Sequence, residues 1–206
     1  MLDDLPLFLS ASVAITVAPG PDNLQVLARS LSQGRAAGVA AALGFASGCL
    51  FHTALAVLGI AAVLRASPMA FDAVKLAGAA YLMWLGVQAL RSRGGFAAAR
   101  GAGQRAPLWR IFRQSALANM LNPKVTLFFV VFLPQFVDPW AGHADWQMAA
   151  LGVAFMLQAA LVFCLIACCA GALGSLLRRR PRLGRWLDGL AGAVFMLLAL
   201  RIVWLA

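Results

Sequence analysis

The sequence predicts an all-α integral membrane protein whose six transmembrane helices form two inverted three-helix repeats, with breaks in helices 1 and 4. Of 206 residues, 63% are hydrophobic and 12% are charged, whereas soluble domains average about 45–50% apolar and about 25% charged residues. Basic residues are concentrated in alternate loops, and similar sequence strings recur in the two halves of the chain. So few charges cannot cover a soluble surface, and the apolar excess requires a lipid bilayer as its partner.

Six apolar spans have the length of about 20 residues that a helix needs to cross the hydrocarbon. Helices are expected, because strands would alternate in polarity and these spans are apolar all round. Asp3 and Asp4 replace the basic start of a secretory signal, so the first helix is expected to stay in the mature protein. The spans lie at 5–27, 38–64, 68–90, 114–136, 147–174 and 186–206.

Loop charges predict the orientation of the helices. Arginines occur at 29 and 35, in the segment 91–113 and in the segment 178–185, which follow spans one, three and five. Because basic residues stay on the cytoplasmic side, these loops are predicted inside and both termini outside. The net charge of +10 is therefore interpreted as a topology signal, and a nucleic-acid partner is not expected.

The two halves of the chain resemble each other. ALGFA at 42–46 matches ALGVA at 150–154, and LAGAAYLM at 76–83 matches LAGAVFML at 190–197. Three spans per repeat force the halves into opposite orientations, an architecture typical of secondary transporters. A single membrane domain, 1–206, is predicted, with repeat one at 1–90, a cytoplasmic linker at 91–113 and repeat two at 114–206. Shared membrane composition is the alternative explanation.

The first span contains a predicted helix break. Pro19 and Pro21 remove backbone donors and Gly20 relaxes the chain, so freed carbonyls must be satisfied by protein or by a cavity. Asp22 and Asn23 follow at once, and an ionisable residue at membrane depth indicates a function. The alternative is a helix end at the cytoplasmic interface, where Asp22 caps the next turn.

The fourth span contains the matching break at Pro123. Asn119 and Asn122 can satisfy the freed backbone, and Lys124 supplies a charge opposite to that of Asp22. The two segments predict a site for a small zwitterion, with Lys124 on a carboxylate and Asp22 on an ammonium or exchanging a proton. A direct Asp22–Lys124 ion pair and snorkelling of Lys124 are the alternatives.

Weaker candidates occur elsewhere in the spans. His52 and Tyr81 are predicted to line the substrate path, although a lone histidine is also commonly a hydrogen-bonded structural residue. Gly44 and Gly48 predict close helix packing, either within the fold or at a dimer interface. The four cysteines fall inside apolar spans and are interpreted as small core residues.

Four motifs together resemble the LysE-type translocators, a family of bacterial amino-acid exporters. They are PGPDNL at 19–24, GFASG at 44–48, the run GAAYLMWLG at 78–86 and LNPK at 121–124. The resemblance implies a multi-pass inner-membrane exporter of an amino acid or a close derivative, driven by protons, and it allows for a homodimer. The family positions carried over are Pro19, Gly20, Pro21, Asp22, Asn122, Pro123 and Lys124.

The expected function is therefore secondary active export rather than catalysis. Nothing resembles a nucleotide-binding loop, and no cofactor is expected. A divalent metal-ion exporter is a first alternative, although the spans lack the clustered ligands that metals need. An intramembrane hydrolase is a second, but no paired nucleophile and base is found.

Overall fold

The computed structural model describes residues 5–18, 20–60, 68–91, 105–137 and 143–204. These residues form helices and contain no strand. We number the helices α1 to α9. They span Leu5–Val17, Pro21–Gln33, Arg35–Leu55, Pro68–Arg91, Leu108–Met120, Pro123–Leu127, Ala144–Cys168, Ala170–Arg179 and Pro181–Trp204.

Two helices continue in other helical forms. A π-helical turn, Ala56–Ile60, extends α3, and a π-helical turn at Phe128–Phe132 followed by a 3₁₀ turn at Leu133–Phe136 extends α6. In both extensions the chain remains helical, so its backbone N–H and C=O groups stay hydrogen-bonded within the helix, as a lipid environment requires.

In the described part of the chain, three helices are long and apolar enough to cross a membrane, and a fourth if one bent pair counts as a single span. The three are Arg35–Gly59, Ala144–Cys168 and Arg185–Trp204, and the pair is Leu108–Met120 with Pro123–Phe136, bent by 51°. The all-helical membrane fold is confirmed at this level, whereas six spans remain a prediction.

The first predicted span, 5–27, is not one helix. It divides into α1, with 13 residues, and α2, and α1 is too short to cross about 30 Å of hydrocarbon alone. Helix α5 begins at Leu108, directly after Pro107 and earlier than the predicted end of the linker at 113. Residues 92–104 of that linker and 61–64 of the second span lie outside the described residues.

Helix α3 lies at the centre of the fold and packs most extensively against α5 and α7, while α4 and α9 form a second pair. Glycines permit the close approach. A Cβ on Gly44 would overlap the Phe112 carbonyl oxygen, and a Cβ on Gly48 would lie 2.7 Å from Asn119 Cβ. These two glycines therefore allow close helix packing within the fold, which is the first of the two alternatives that the sequence left open for them.

Aromatic side chains fill the core between α1, the extension of α6 and α7. The Phe128 ring lies 4.8 Å from Phe155, and the Phe8 ring lies 5.3 Å from Phe136, centroid to centroid. Such rings contribute large apolar area and prefer these tilted and edge-on arrangements. They hold the start of α1 and the extension of α6 against each other and against α7.

Candidate functional site

The first helix interruption lies between α1 and α2. Helix α1 ends at Val17, Gly20 is extended at the N-cap of α2, and Pro21 takes the first helical position, where its missing N–H removes no bond. Asn23 Nδ2 lies 2.9–3.2 Å from the carbonyl oxygens of Thr16, Val17 and Ala18. Asn23 thus satisfies the carbonyls that the end of α1 leaves free. Pro19 lies outside the described residues.

The second interruption has the same construction. Helix α5 ends at Met120, and Pro123 takes the first position of α6. Asn122 is the N-cap residue, and its Oδ1 accepts a hydrogen bond of 3.0 Å from the Lys124 backbone N–H. Asp22 and Lys124 consequently occupy equivalent positions, the second residue of the helix that follows each break.

Each break binds the charged residue of the other. Asn122 Nδ2 donates to Asp22 Oδ1 at 2.7 Å, and Asn119 Nδ2 donates to Asp22 Oδ2 at 3.3 Å. In the reverse direction, Lys124 Nζ donates to the Ala18 carbonyl at 3.2 Å. We call this arrangement the reciprocal contact. It joins residues about a hundred positions apart in the sequence and ties the two broken helices together.

Space for the Lys124 ammonium depends on two neighbours. A Cβ on Gly20 would lie 3.1 Å from Lys124 Nζ, and Lys124 Nζ stands 5.9 Å from the centroid of the Phe195 ring, within range of a cation–π interaction. Within the described residues, Lys124 Nζ bonds Ala18 and forms no direct ion pair with Asp22. The Lys124 ammonium and the Asp22 carboxylate therefore line the same small cavity without bonding to each other.

His52 supports this site from α3. Its Nε2 lies 3.0 Å from the Asn119 carbonyl oxygen, so Nε2 carries the hydrogen and donates, because a carbonyl only accepts. The side chain is fully buried, and its ring packs against Phe129. His52 therefore fixes the end of α5, from which Asn119 reaches Asp22.

The first of two cavities at this site surrounds the Asp22 carboxylate. We call it the Asp22 cavity; its volume is about 20 Å³, enough for a water molecule and far too small for an amino acid. Asp22 is 4% exposed, so its charge is enclosed by protein. The lining includes Thr16, Cys49, Asn119, Lys124 and Phe155.

The second cavity lies among α4, α9 and the starts of α2 and α6. We call it the Asp188 cavity; its volume is about 340 Å³, and its lining includes Tyr81, Trp84, Gln88, Asn122, Lys124 and Asp188. Lys124 is common to both cavities. Asp188 was missed in the sequence, although a carboxylate three residues into the last apolar span is a signal of the kind that singled out Asp22.

The predicted residues thus fall into three groups. Asp22, Asn119, Asn122 and Lys124 come together in the reciprocal contact. Asn23 and His52 hold the ends of α1 and α5 and line neither cavity. Tyr81 lines the Asp188 cavity, beside Trp84, with ring centroids 5.3 Å apart. No group of three or more His, Cys, Asp or Glu side chains in the described ranges could hold a metal ion.

Comparison with known proteins identifies one family. The LysE type translocator family matches residues 13–205. An uncharacterized membrane protein of Pseudomonas aeruginosa is 35% identical over 95% of this chain and 92% of its own length. No solved structure matches the chain significantly.

Two relatives have names that include a substrate. The leucine efflux protein of Salmonella typhimurium is 32% identical over 74% of this chain and 68% of its own length. The leucine efflux protein of Enterobacter sp. strain 638 is 31% identical over 91% of this chain and 89% of its own length. These similarities confirm the family resemblance that the four sequence motifs predicted.

Proposed function

Because the chain belongs to the LysE type translocator family, we propose that it is a proton-coupled secondary exporter of an amino acid or a close derivative. The proposed location of the protein is the bacterial inner membrane. The family and the named leucine efflux relatives support export of a small molecule, and they favour leucine as the first substrate to test. The sequence contains no recognisable nucleotide-binding motif, and an ion gradient is the proposed energy source.

One observation carries the proposal: the reciprocal contact places a buried acid and a half-buried base at two helix breaks. A free amino acid presents an ammonium and a carboxylate, and charge-assisted hydrogen bonds to both select for it. Lys124 binds the carboxylate, while Asp22 binds the ammonium or exchanges a proton. Both groups already hold polar partners that a substrate or a proton can displace.

Helix geometry supports a position of the two breaks near the middle of the bilayer. Arg29 follows Pro21 by eight residues of α2, and Arg113 precedes Met120 by seven residues of α5. At 1.5 Å per residue these separations are about 10–12 Å, close to half of a hydrocarbon core about 30 Å thick. From such a position the exposed Arg113 side chain reaches the headgroups by snorkelling, whereas Arg29 Nη2 donates to Gln114 Oε1 of α5.

The pairing of helices supports the proposed inverted repeat of 1–90 and 114–206, joined by the linker 91–113 within one membrane domain. Helix α5, the first half of a broken helix, packs on α3, and its counterpart α1 packs on α7. The matched helices α3 and α7 pack on each other, as do α4 and α9. If a two-fold axis relates the halves, each contact between unlike helices occurs twice, and matched helices can pack on each other across the axis. The observed helix pairs follow this pattern.

Alternating access then follows from movement of one repeat against the other. The Asp22 cavity is too small for substrate in this conformation, so the two broken helices must separate during the cycle. Cytoplasmic arginine loops and external termini are the proposed orientation. A homodimer is compatible with the fold, but Gly44 and Gly48 contact α5 and are not available for its interface.

Transport by inverted membrane vesicles tests this function. Such vesicles, energised through respiration to acidify their interior, should accumulate labelled leucine when they contain the protein, and an uncoupler should abolish the accumulation. ATP without a proton gradient should not replace respiration. A panel of other labelled amino acids, each competing with leucine, then defines the range of substrates.

Vesicles from cells with an empty vector provide the background, and lysed vesicles correct for binding. Accumulation of no amino acid above this background, with the protein shown to be inserted in the membrane, would contradict the proposed function. Uptake that persists with uncoupler and requires ATP would contradict the proposed coupling.

A further inference from the structure

The Asp188 cavity contains both charges that complement a free amino acid. Resting on the proposed function, we propose that this cavity is the substrate-binding site. Asp188 binds the α-ammonium, Lys124 binds the α-carboxylate, and the aromatic wall takes an apolar side chain.

Size separates the two cavities. The Asp188 cavity has a volume of about 340 Å³, against about 20 Å³ for the Asp22 cavity. Pockets for small ligands begin at about 300 Å³. The Asp188 cavity is therefore large enough for an amino acid, and the Asp22 cavity is not.

Burial and charge identify the ligand class. Asp188 is 1% exposed, although it lies on α9 in the last apolar span, and a carboxylate in such a position is expensive without a function. Lys124, at the start of α6, lines the same cavity. An acid and a base facing one space select a zwitterion over a simple anion or cation, because each substrate charge meets its opposite.

The remaining wall is aromatic and apolar. Tyr81 and Trp84 present adjacent rings, Phe195 lies beneath the Lys124 ammonium, and Gln88 supplies a neutral polar group. No further charged side chain lines the cavity among the described residues. This wall accepts an aliphatic or aromatic side chain and offers nothing to pair the charge of a basic or acidic one.

Because Lys124 also lines the Asp22 cavity, it connects the two. A carboxylate bound to Lys124 in the Asp188 cavity would compete for the ammonium that now donates to the Ala18 carbonyl, and so loosen the reciprocal contact. This division assigns recognition of the ammonium to Asp188 and leaves Asp22 to exchange the proton.

The test compares Asp188→Asn with wild-type protein in reconstituted proteoliposomes, using labelled leucine in counterflow. Asp188→Asn should raise KM at least about tenfold, because it removes one charge-assisted hydrogen bond to the substrate, with Vmax within about twofold of wild type. Wild-type protein should reject 4-methylpentanoate, which is leucine without its amino group, as a competitor. Asp188→Asn should lose most of that discrimination, and Asp188→Glu should recover part of it.

Asp145→Asn removes an exposed carboxylate at the start of α7 and should leave both parameters at wild-type values. Leucine binding to purified protein, measured by thermal shift, reports on the site if Asp188→Asn transports too slowly, and its Kd should rise by the same factor. Wild-type KM, Kd and discrimination in Asp188→Asn would overturn this site while leaving the proposed function intact. Absence of leucine transport and binding by wild-type protein would overturn both.

Discussion

Lys124 occupies the second position of α6, where the partial positive charge of a helix N-terminus disfavours a cation. Its ammonium turns instead to the Ala18 carbonyl, just beyond the C-terminus of α1, and to the Phe195 ring. Asp22, at the equivalent position of α2, has a carboxylate that the helix end favours. The Lys124 ammonium is thus stabilised by groups outside its own helix. A substrate carboxylate can compete with these groups for the ammonium.

Gly20 controls the position of that ammonium. In Gly20→Ala the new Cβ would lie 3.1 Å from Lys124 Nζ, so the ammonium would have to shift and its hydrogen bond to Ala18 would weaken. The extended backbone of Gly20 accepts alanine without strain, so we expect normal insertion but at least about a tenfold lower leucine transport rate, equal to about 1.4 kcal/mol. Gly59→Ala, with no atom near its Cβ, is the matched control; equal rates in the two variants would refute this role of Gly20.

Asn122 has two functions, as the N-cap of α6 and as the closest donor to Asp22. Asn122→Ala removes the cap and leaves a buried carboxylate with one fewer hydrogen bond. We expect a loss of about 1–3 kcal/mol in stability, measured as a lower unfolding temperature of the detergent-solubilised protein. Leu121→Ala changes an adjacent side chain that is 82% exposed and should have little effect. Equal unfolding temperatures for both variants would contradict this assignment.

Single residues could be predicted where local sequence determines their chemistry. Asp22 and Lys124 stand directly after prolines in apolar spans, so both the helix break and the charge are visible in the sequence. Asp188 follows Arg182 and Arg185 and looks like part of a polar loop end. Only the packing of α4 on α9 brings it to the cavity that Lys124 lines, and pairwise helix packing is not encoded in local periodicity.

The broken helices are the elements on which the site depends. Proline at the first position of α2 and of α6 predicts where each second half begins, because proline has no N–H to leave unpaired there. The capping groups were less predictable. Asn23 reaches back to three carbonyls of α1, whereas Asn122 caps forward into α6, and the sequence alone does not distinguish these uses of asparagine.

Close packing of α3 on α5 positions Asn119 for its bond to Asp22. Gly44→Ala would drive a methyl group against the Phe112 carbonyl and to 2.9 Å from Ser115 Cβ. Overpacking of this kind costs about 1–3 kcal/mol, so we expect a lower unfolding temperature and reduced transport. Gly171→Ala, in α8 with open space around it, should be neutral or slightly stabilising, since alanine favours helix. A Gly44→Ala protein as stable as wild type would show that α3 and α5 are not in this close contact.

The complete fold combines features that composition determines with others that it does not. Apolar content and span length predict an all-helical membrane protein, and the helices agree with this. The number of spans is harder to predict from sequence, because α1 is a short half-helix that counts as part of a span only when joined to α2. The similarity between the two halves, by contrast, can be seen directly in the sequence, in matched strings such as ALGFA and ALGVA.

Reporter fusions test the proposed orientation. An alkaline phosphatase domain fused after Ala206 should be active, because the proposed orientation places the C-terminus outside, while green fluorescent protein at the same position should be dark. Insertion after Gly95, within the arginine-rich linker, should give the opposite pair of results, because basic loops remain in the cytoplasm. A C-terminus that reports cytoplasmic in both assays would contradict an even number of spans with external termini.

Respiration-driven accumulation of leucine in inverted membrane vesicles, with Asp22→Asn and Lys124→Ala beside wild-type protein, examines the pair of charges itself. Asp145→Asn serves as the control for loss of a carboxylate. We predict that both site variants insert normally and lose at least about 90% of the rate of accumulation, because a tenfold loss corresponds to only about 1.4 kcal/mol, while Asp145→Asn retains its rate. Wild-type accumulation by both Asp22→Asn and Lys124→Ala, for leucine and every other amino acid carried, would contradict a transport role for these two helix breaks.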